Sequence, residues 1–122
     1  MRAPEMLLAI DPSDVRPLYR QLADSVRGAI VAGELAPGDG LPPTREVAAA
    51  LGVNAETVQR AYRLLADEAV VTSRVGRGTR VRADLDPEAL ALDHAIDRLV
   101  DRARRVGITP EQLAELVRTR AP

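Results

Sequence analysis

The sequence predicts a mainly α-helical protein with one small β-hairpin, and three observations carry that expectation. Apolar residues recur at spacings of three and four along most of the chain, the period of an amphipathic helix. Proline, asparagine, threonine and glycine stand where helix starts and stops need them. One segment, residues 70–82, is instead β-branched and broken by a glycine-rich turn.

Residues 1–16 form an N-terminal extension, with an extended candidate at Met6 to Ile10 and a turn-like Asp11-Pro12-Ser13-Asp14. Pro17 opens the first helix, where its missing N–H costs little. Leu18, Leu22, Val26, Ala29 and Ile30 make one apolar stripe bordered by Tyr19, and Gly33 stops the helix. Ala36 to Gly40 is a turn, after which Leu41 returns to the core. A second, shorter helix runs from about Thr44 to Leu51 with Val47, Ala48 and Leu51 inward, and Gly52 ends it. Asn54 is a good N-cap for a third helix. Val53 and Val58 have the spacing of a hydrophobic staple. Val58, Ala61, Tyr62 and Leu65 continue the apolar face, which fades near Glu68. Val70 to Ser73 and Thr79 to Arg82 are two strands around the turn Arg74 to Gly78. The order helix, helix, short turn, helix, hairpin is that of a winged helix-turn-helix, here residues 17–82.

Two further helices fill residues 83–122. Asp86-Pro87-Glu88 is a helix start, with an acid near the positive end of the dipole. Leu92, Ile96, Leu99, Val100, Ala103 and Val106 form its stripe, and Gly107 stops it. Thr109-Pro110-Glu111-Gln112 is a capping box with Ile108 and Leu113 as staple. The last helix is expected to bury Leu113, Leu116 and Val117 and to fray near Thr119. Two helices make a thin core, so the tail should pack on the winged domain, on a partner chain, or on both.

Composition excludes several function classes. The 122 residues, 46% hydrophobic and 29% charged, suit one domain or a small domain with an appendage. Without cysteine there is no disulfide framework, no Cys-based zinc site and no thiol nucleophile. The longest apolar runs, Met6 to Ile10 and Val47 to Leu51, are too short for a membrane span or a signal-peptide core, so a cytoplasmic location is expected. His94 is the sole histidine. Asp93, Asp97 and Asp101 share a helix face and read as a solvated set pairing with Arg98, Arg102 and Arg105, not as a metal or acid–base site. No P-loop or dinucleotide fingerprint occurs. The expectation is a protein that is not an enzyme and carries no cofactor and no metal. The only aromatics are Tyr19 and Tyr62, which argues against base stacking on single strands.

Charge points to a polyanion. The net charge of −1 divides into −2 for residues 1–40, +3 for 41–82 and −2 for 83–122. All 17 basic residues are arginine, whose planar fork grips phosphate or guanine through two bonds. The third helix begins Asn54-Ala55-Glu56-Thr57, followed by Gln59 and Arg60. A recognition helix works from its N-terminal turn in the major groove, and Asn, Thr, Gln and Arg all read bases or hold phosphates. Glu56 favours the helix dipole or accepts from a cytosine amino group. Arg45, at the start of the second helix, is placed to clamp the backbone or reach a base. Arg74, Arg77 and Arg80 surround two glycines at the hairpin tip, where arginine suits phosphate or a narrow minor groove. Tyr62 reads as core.

These residues also resemble a known family. Pro17-Leu18-Tyr19-Arg20-Gln21-Leu22 and the stretch from Ile30 to Leu41 are similar to the opening of the GntR family of bacterial transcription regulators. Pro42-Pro43-Thr44-Arg45-Glu46-Val47-Ala48 resembles that family's second helix. Gly52-Val53-Asn54, with Thr57, Val58, Arg60, Ala61 and Tyr62, resembles its recognition helix. Gly76-Arg77-Gly78-Thr79 with Val81 resembles its wing. The likeness implies DNA contacts by Arg45, Asn54, Glu56, Thr57, Gln59, Arg60, Gly76, Arg77 and Gly78, to which the charge of the wing adds Arg74. Pro43 replaces a common serine, so the usual cap of the second helix is absent or shifted to Thr44. Ala69-Val70-Val71 replaces a usual Gly-Leu-Ile before the wing.

The short tail resembles the YtrA-type subfamily, which implies a homodimer on a palindromic double-stranded operator. Leu92, Ile96, Leu99, Val100, Leu113, Leu116 and Val117 are the expected dimerisation residues. The likeness further implies a repressor of an operon holding its own gene and ABC transporter genes. No residue pattern locates a small-molecule inducer. The alternative is a winged domain used for protein contact without specific DNA binding.

Overall fold

The computed structural model describes Ile10, Asp11 and residues 13–122, so all but Ile10 of the extended candidate Met6 to Ile10, and Pro12 of the expected turn, lie outside the described residues. The elements are α1 (Leu18–Val31), α2 (Thr44–Leu51), α3 (Ala55–Asp67), β1 (Val71–Arg74), β2 (Gly78–Val81), α4 (Pro87–Arg105) and α5 (Pro110–Arg120). This is a winged helix-turn-helix followed by two helices. The chain falls into two compact units that divide between Pro87 and Glu88.

In the first unit α3 packs against α1, α2 and β1. Leu22 and Val26 of α1, Val47 of α2, Val58 and Leu65 of α3, and Val71 and Val81 of the hairpin are fully buried. Each such side chain contributes on the order of 1.5–3 kcal/mol through its burial. Pro17 stands as the N-cap of α1 and not inside its first turn. Gln21 is the one buried polar residue among those described. Its Oε1 accepts from the Asp11 N–H at 3.0 Å and its Nε2 donates to the Arg16 carbonyl at 3.0 Å, so it fastens the preceding loop onto α1.

The strands lie one residue later in β1 and one earlier in β2 than the β-branched pattern suggests. Val71 pairs with Val81 and Arg74 with Gly78, leaving Val75-Gly76-Arg77 as the turn. The turn closes with the Arg77 N–H donating to the Arg74 carbonyl at 3.0 Å. A further difference concerns residues 38–41. They are more than a turn, because they run beside β2. The Gly38 N–H donates to Val81 at 2.9 Å, the Val81 N–H to Asp39 at 2.8 Å, and the Leu41 N–H to Thr79 at 2.8 Å. The wing is thereby tied to the loop between α1 and α2.

Helices α1 and α3 end in the same way. After each, the second residue past the C-cap donates its N–H five residues back, Glu34 to Ala29 and Val70 to Leu65, both at 2.9 Å. The residue between is left-handed in both, Gly33 at φ +80° and Ala69 at φ +61°. Ala69 thus holds the position that the motif normally gives to glycine.

In the second unit the capping box of α5 forms in both directions. Thr109 Oγ1 accepts from the Gln112 N–H at 3.2 Å, and Gln112 Oε1 accepts from the Thr109 N–H at 2.9 Å. The expected burial of the tail stripe is not realised in the single chain. Leu90 and Ala103 are buried, and Val100 and Leu113 are half-buried. Leu92 is 63% exposed, Ile96 48%, Leu99 44%, Leu116 41% and Val117 54%. The reason is geometric, since two helices have more apolar face than they can cover for one another. Of the expected aspartate–arginine pairs, Asp101 meets Arg105 at 2.7 Å. No helix among the described residues is long and apolar enough to cross a membrane.

Candidate nucleic-acid interface

Helix α3 owes its start to Asn54. That residue is extended at φ −69° and ψ 137°, and its Oδ1 accepts from the Glu56 N–H at 2.8 Å. Gly52, left-handed at φ +67°, reverses the chain between α2 and α3. Val58 is fully buried and Val53 half-buried, at the N4 and N′ positions of the helix. The cap has a chemical consequence. One Oδ1 lone pair is engaged in the cap, and the side-chain amide N–H groups are the donors that Asn54 offers to an outside acceptor. A bidentate contact to adenine would need both ends of the amide.

The inward side of α3 is Val58, Ala61, Tyr62 and Leu65. Its outward side is Glu56, Gln59, Arg60 and Arg63, all exposed, with Thr57 half-buried beside them. Glu56 lies in the first turn, where a carboxylate favours the dipole. Tyr62 is core, as expected. Its hydroxyl donates to the Pro42 carbonyl at 2.7 Å. Burial, reinforced by the Glu46 carboxylate, holds its phenol well above the usual tyrosine range.

Arg45 is exposed in the first turn of α2. Pro43 is the N-cap of that helix and no side chain caps it, so the cap expected from a serine is absent and not moved to Thr44. Arg74 and Arg77 are exposed on the wing, flanked by Gly76 and Gly78 at φ +81° and +71°. Ser73 and Thr79 share a 2.7 Å hydrogen bond across its outer face.

The arginines of residues 41–82 are not equivalent. Arg82 is held by Asp84 through bonds of 2.9 and 2.8 Å, which also hold the Asp84 carboxyl below its usual range. Arg80 donates to the Gly38 carbonyl at 3.2 Å. Among the described residues, Arg45, Arg60, Arg63, Arg74 and Arg77 have no carboxylate partner. Their charge is therefore available to an outside anion. The structure thus separates Arg82, neutralised by Asp84, and Arg80, tied to a backbone carbonyl, from the five available arginines, which composition could not do.

Three residues of this surface escaped the sequence reading. Arg63 lies one turn beyond Gln59, and the helical period that exposes Gln59 exposes it too. Tyr19 and Arg20 come from α1. The Arg60 guanidinium lies over the Tyr19 ring at 3.9 Å from its centroid, and that of Arg20 at 5.5 Å. No sequence signal links residues so far apart in the chain.

Residues 18–81, all the helices and strands of this unit up to the end of β2, match the bacterial regulatory proteins of the gntR family. The chain belongs to the GntR family. It is 40% identical over 102 residues to the HTH-type transcriptional regulator Rv1152 of Mycobacterium tuberculosis, covering 84% of each chain. It is 27% identical over 117 residues to the HTH-type transcriptional repressor YtrA of Bacillus subtilis, covering 92% of this chain and 90% of that one. Among solved structures, a GntR family transcriptional regulator from Listeria monocytogenes superposes with a TM-score of 0.67 at 29% identity, over 92% of this chain and all of that one (100%). YtrA from Sulfolobus acidocaldarius, a GntR-family transcription factor, superposes with a TM-score of 0.61 at 37% identity, over 78% and 98%. The chain is accordingly a GntR-family DNA-binding transcriptional regulator.

Proposed function

We propose that this GntR-family chain is a homodimeric, sequence-specific repressor that binds a palindromic double-stranded operator and controls the operon holding its own gene. Transporter genes of the ABC type are a further candidate target. The observation that carries the reading is the outward face of α3 beside an arginine-bearing wing, both with basic side chains that no carboxylate neutralises. Arg45, Asn54, Glu56, Thr57, Gln59 and Arg60 meet the major groove and its edges. Arg74, Gly76, Arg77 and Gly78 meet the backbone or the minor groove. The role is non-enzymatic and cytoplasmic, and it needs no cofactor.

The tail makes the dimer. Leu92, Ile96, Leu99, Leu116 and Val117 are an apolar set left in water by the single chain. A second copy covers it, joined by the half-buried Val100 and Leu113. Twofold symmetry then presents one α3 to each half-site. The likeness to a protein named a transcriptional repressor supports the sign of regulation.

The test is a fluorescence-anisotropy titration against DNA from upstream of the gene, beside a random duplex, at two salt concentrations. Specific binding on the order of a thousandfold tighter, and weakened by salt, is expected. Weak and equal binding to both duplexes would remove the claim that the chain controls its own operon.

A further inference from the structure

Helix α1 carries a feature that the assigned contacts do not use. Tyr19 is half-buried, and two guanidinium groups converge on its ring, Arg60 from α3 at 3.9 Å and Arg20 from α1 at 5.5 Å. Both arginines are exposed. Neither guanidinium makes a hydrogen bond or ion pair among the described residues. Glu56 stands one turn before Arg60 on α3, yet no ion pair joins them. Two cations gathered at one ring repel each other, and a protein carboxylate would ordinarily separate or neutralise them. Among the described residues no carboxylate takes that place, which leaves both guanidinium groups open to an anion from outside.

Stacking determines which anion fits. A guanidinium that lies over an aromatic ring uses its π face, and its N–H groups stay in the plane, pointing outward. Those donors match the two free oxygens of a phosphodiester through a bidentate contact. Stacking also fixes a long side chain before binding, which lowers the entropy lost on contact. Base edges are read mainly from the first turn of a recognition helix. Arg60 lies beyond that turn and is drawn toward α1 by the ring.

We propose that Tyr19 is a positioning residue for DNA, holding Arg60 with Arg20 beside it as a clamp for one backbone phosphate. The inference rests on the reading of this surface as a DNA interface and extends it to α1. The clamp is independent of sequence, so it acts on any duplex.

The test uses the full chain and a random-sequence duplex at low and moderate salt, read by anisotropy. Tyr19→Leu and Arg60→Ala should each weaken binding about three- to tenfold, and Tyr19→Phe should stay within about twofold because the ring remains. In the Arg60→Ala background, Tyr19→Leu should add nothing, since the two act as a unit. Arg20→Ala, an exposed change that leaves the core untouched, should weaken binding about two- to fivefold and lower the salt dependence. Unchanged affinity for Tyr19→Leu, or its full effect persisting without Arg60, overturns the clamp. If Tyr19→Leu fails to fold, full affinity in both Arg60→Ala and Arg20→Ala overturns it instead. Wild-type protein that shows no salt-sensitive duplex binding overturns the clamp and the DNA-interface reading together. Wild-type binding with the variants unaffected overturns the clamp alone.

Discussion

The Tyr62 hydroxyl donates a 2.7 Å hydrogen bond to the Pro42 carbonyl, joining α3 to the loop that launches α2. Helix α2 lacks a side-chain cap, so this bond and backbone bonds to Pro43 hold its start in place. The bond exists only while the phenol keeps its proton. Burial raises the folded pKa above the unfolded value, so the associated stability is fully present below the unfolded pKa. It is lost as pH rises through the folded one. Stability should hold through neutral pH and fall above about pH 10, the unperturbed tyrosine value. Tyr62→Phe should cost about 1 kcal/mol at neutral pH and flatten this alkaline limb, as measured by urea unfolding across pH.

Ala69 is left-handed where α3 ends, in the same hydrogen-bonded motif that Gly33 completes after α1. An L-residue bears a steric cost there that glycine does not. Ala69→Gly should therefore stabilise the protein by about 0.5–1 kcal/mol, net of the entropy glycine adds to the unfolded chain. Gly33→Ala should destabilise it by about 1 kcal/mol or more, although no atom lies within 4 Å of the added Cβ, because the strain is in φ alone. Thermal unfolding of the pair checks both signs.

Asn54 caps α3, and substitution separates that cap from the DNA contact proposed for the same side chain. Asn54→Ala should lose about 1 kcal/mol of stability with the cap. Asn54→Asp should keep the cap and the stability, but it removes the amide donors and sets a negative charge near phosphate. Its DNA affinity should fall at least tenfold, on the order of 1.4 kcal/mol, while its melting temperature stays near wild type. A variant with wild-type affinity would place Asn54 outside the interface.

The wing and the recognition helix should differ in what they determine. Arg77→Ala should weaken binding to operator and random duplex alike and reduce the salt slope by about one. Thr57→Ala and Gln59→Ala should change preference among sequences more than they change overall affinity. Binding-site selection on the three variants, with salt titrations, compares them directly. Equal losses on all DNA for all three would contradict this division.

Ile96 and Leu99 lie on the uncovered face of α4 and are nearly half exposed in the single chain. Ile96→Glu should leave the helical content intact and convert the protein to a monomer by sedimentation. Operator affinity should fall on the order of a hundredfold, because two half-sites no longer bind as one. A dimer that survives both Ile96→Glu and Leu99→Glu would place the dimer contact elsewhere.

Local chemistry alone determined most of the fold. Caps, glycine stops and the 3.6-residue period act between neighbours in the chain, so the helices from α1 to α5 are legible with ends within a residue or two. The Asn54 cap and the Thr109–Gln112 box form as their spacing requires. The outward positions of α3 were legible for the same reason. What joins distant segments was not. The run of Gly38 to Leu41 beside β2, the buried Gln21 fastening the N-terminal loop, and Arg60 stacked on Tyr19 each link residues that no local pattern relates. The tail shows the same limit from the other side. Periodicity identified its apolar stripe, but whether that stripe is buried depends on how much surface is available to cover it. The tertiary structure leaves Ile96, Leu99 and Val117 in water because a two-helix unit has too little surface to enclose them.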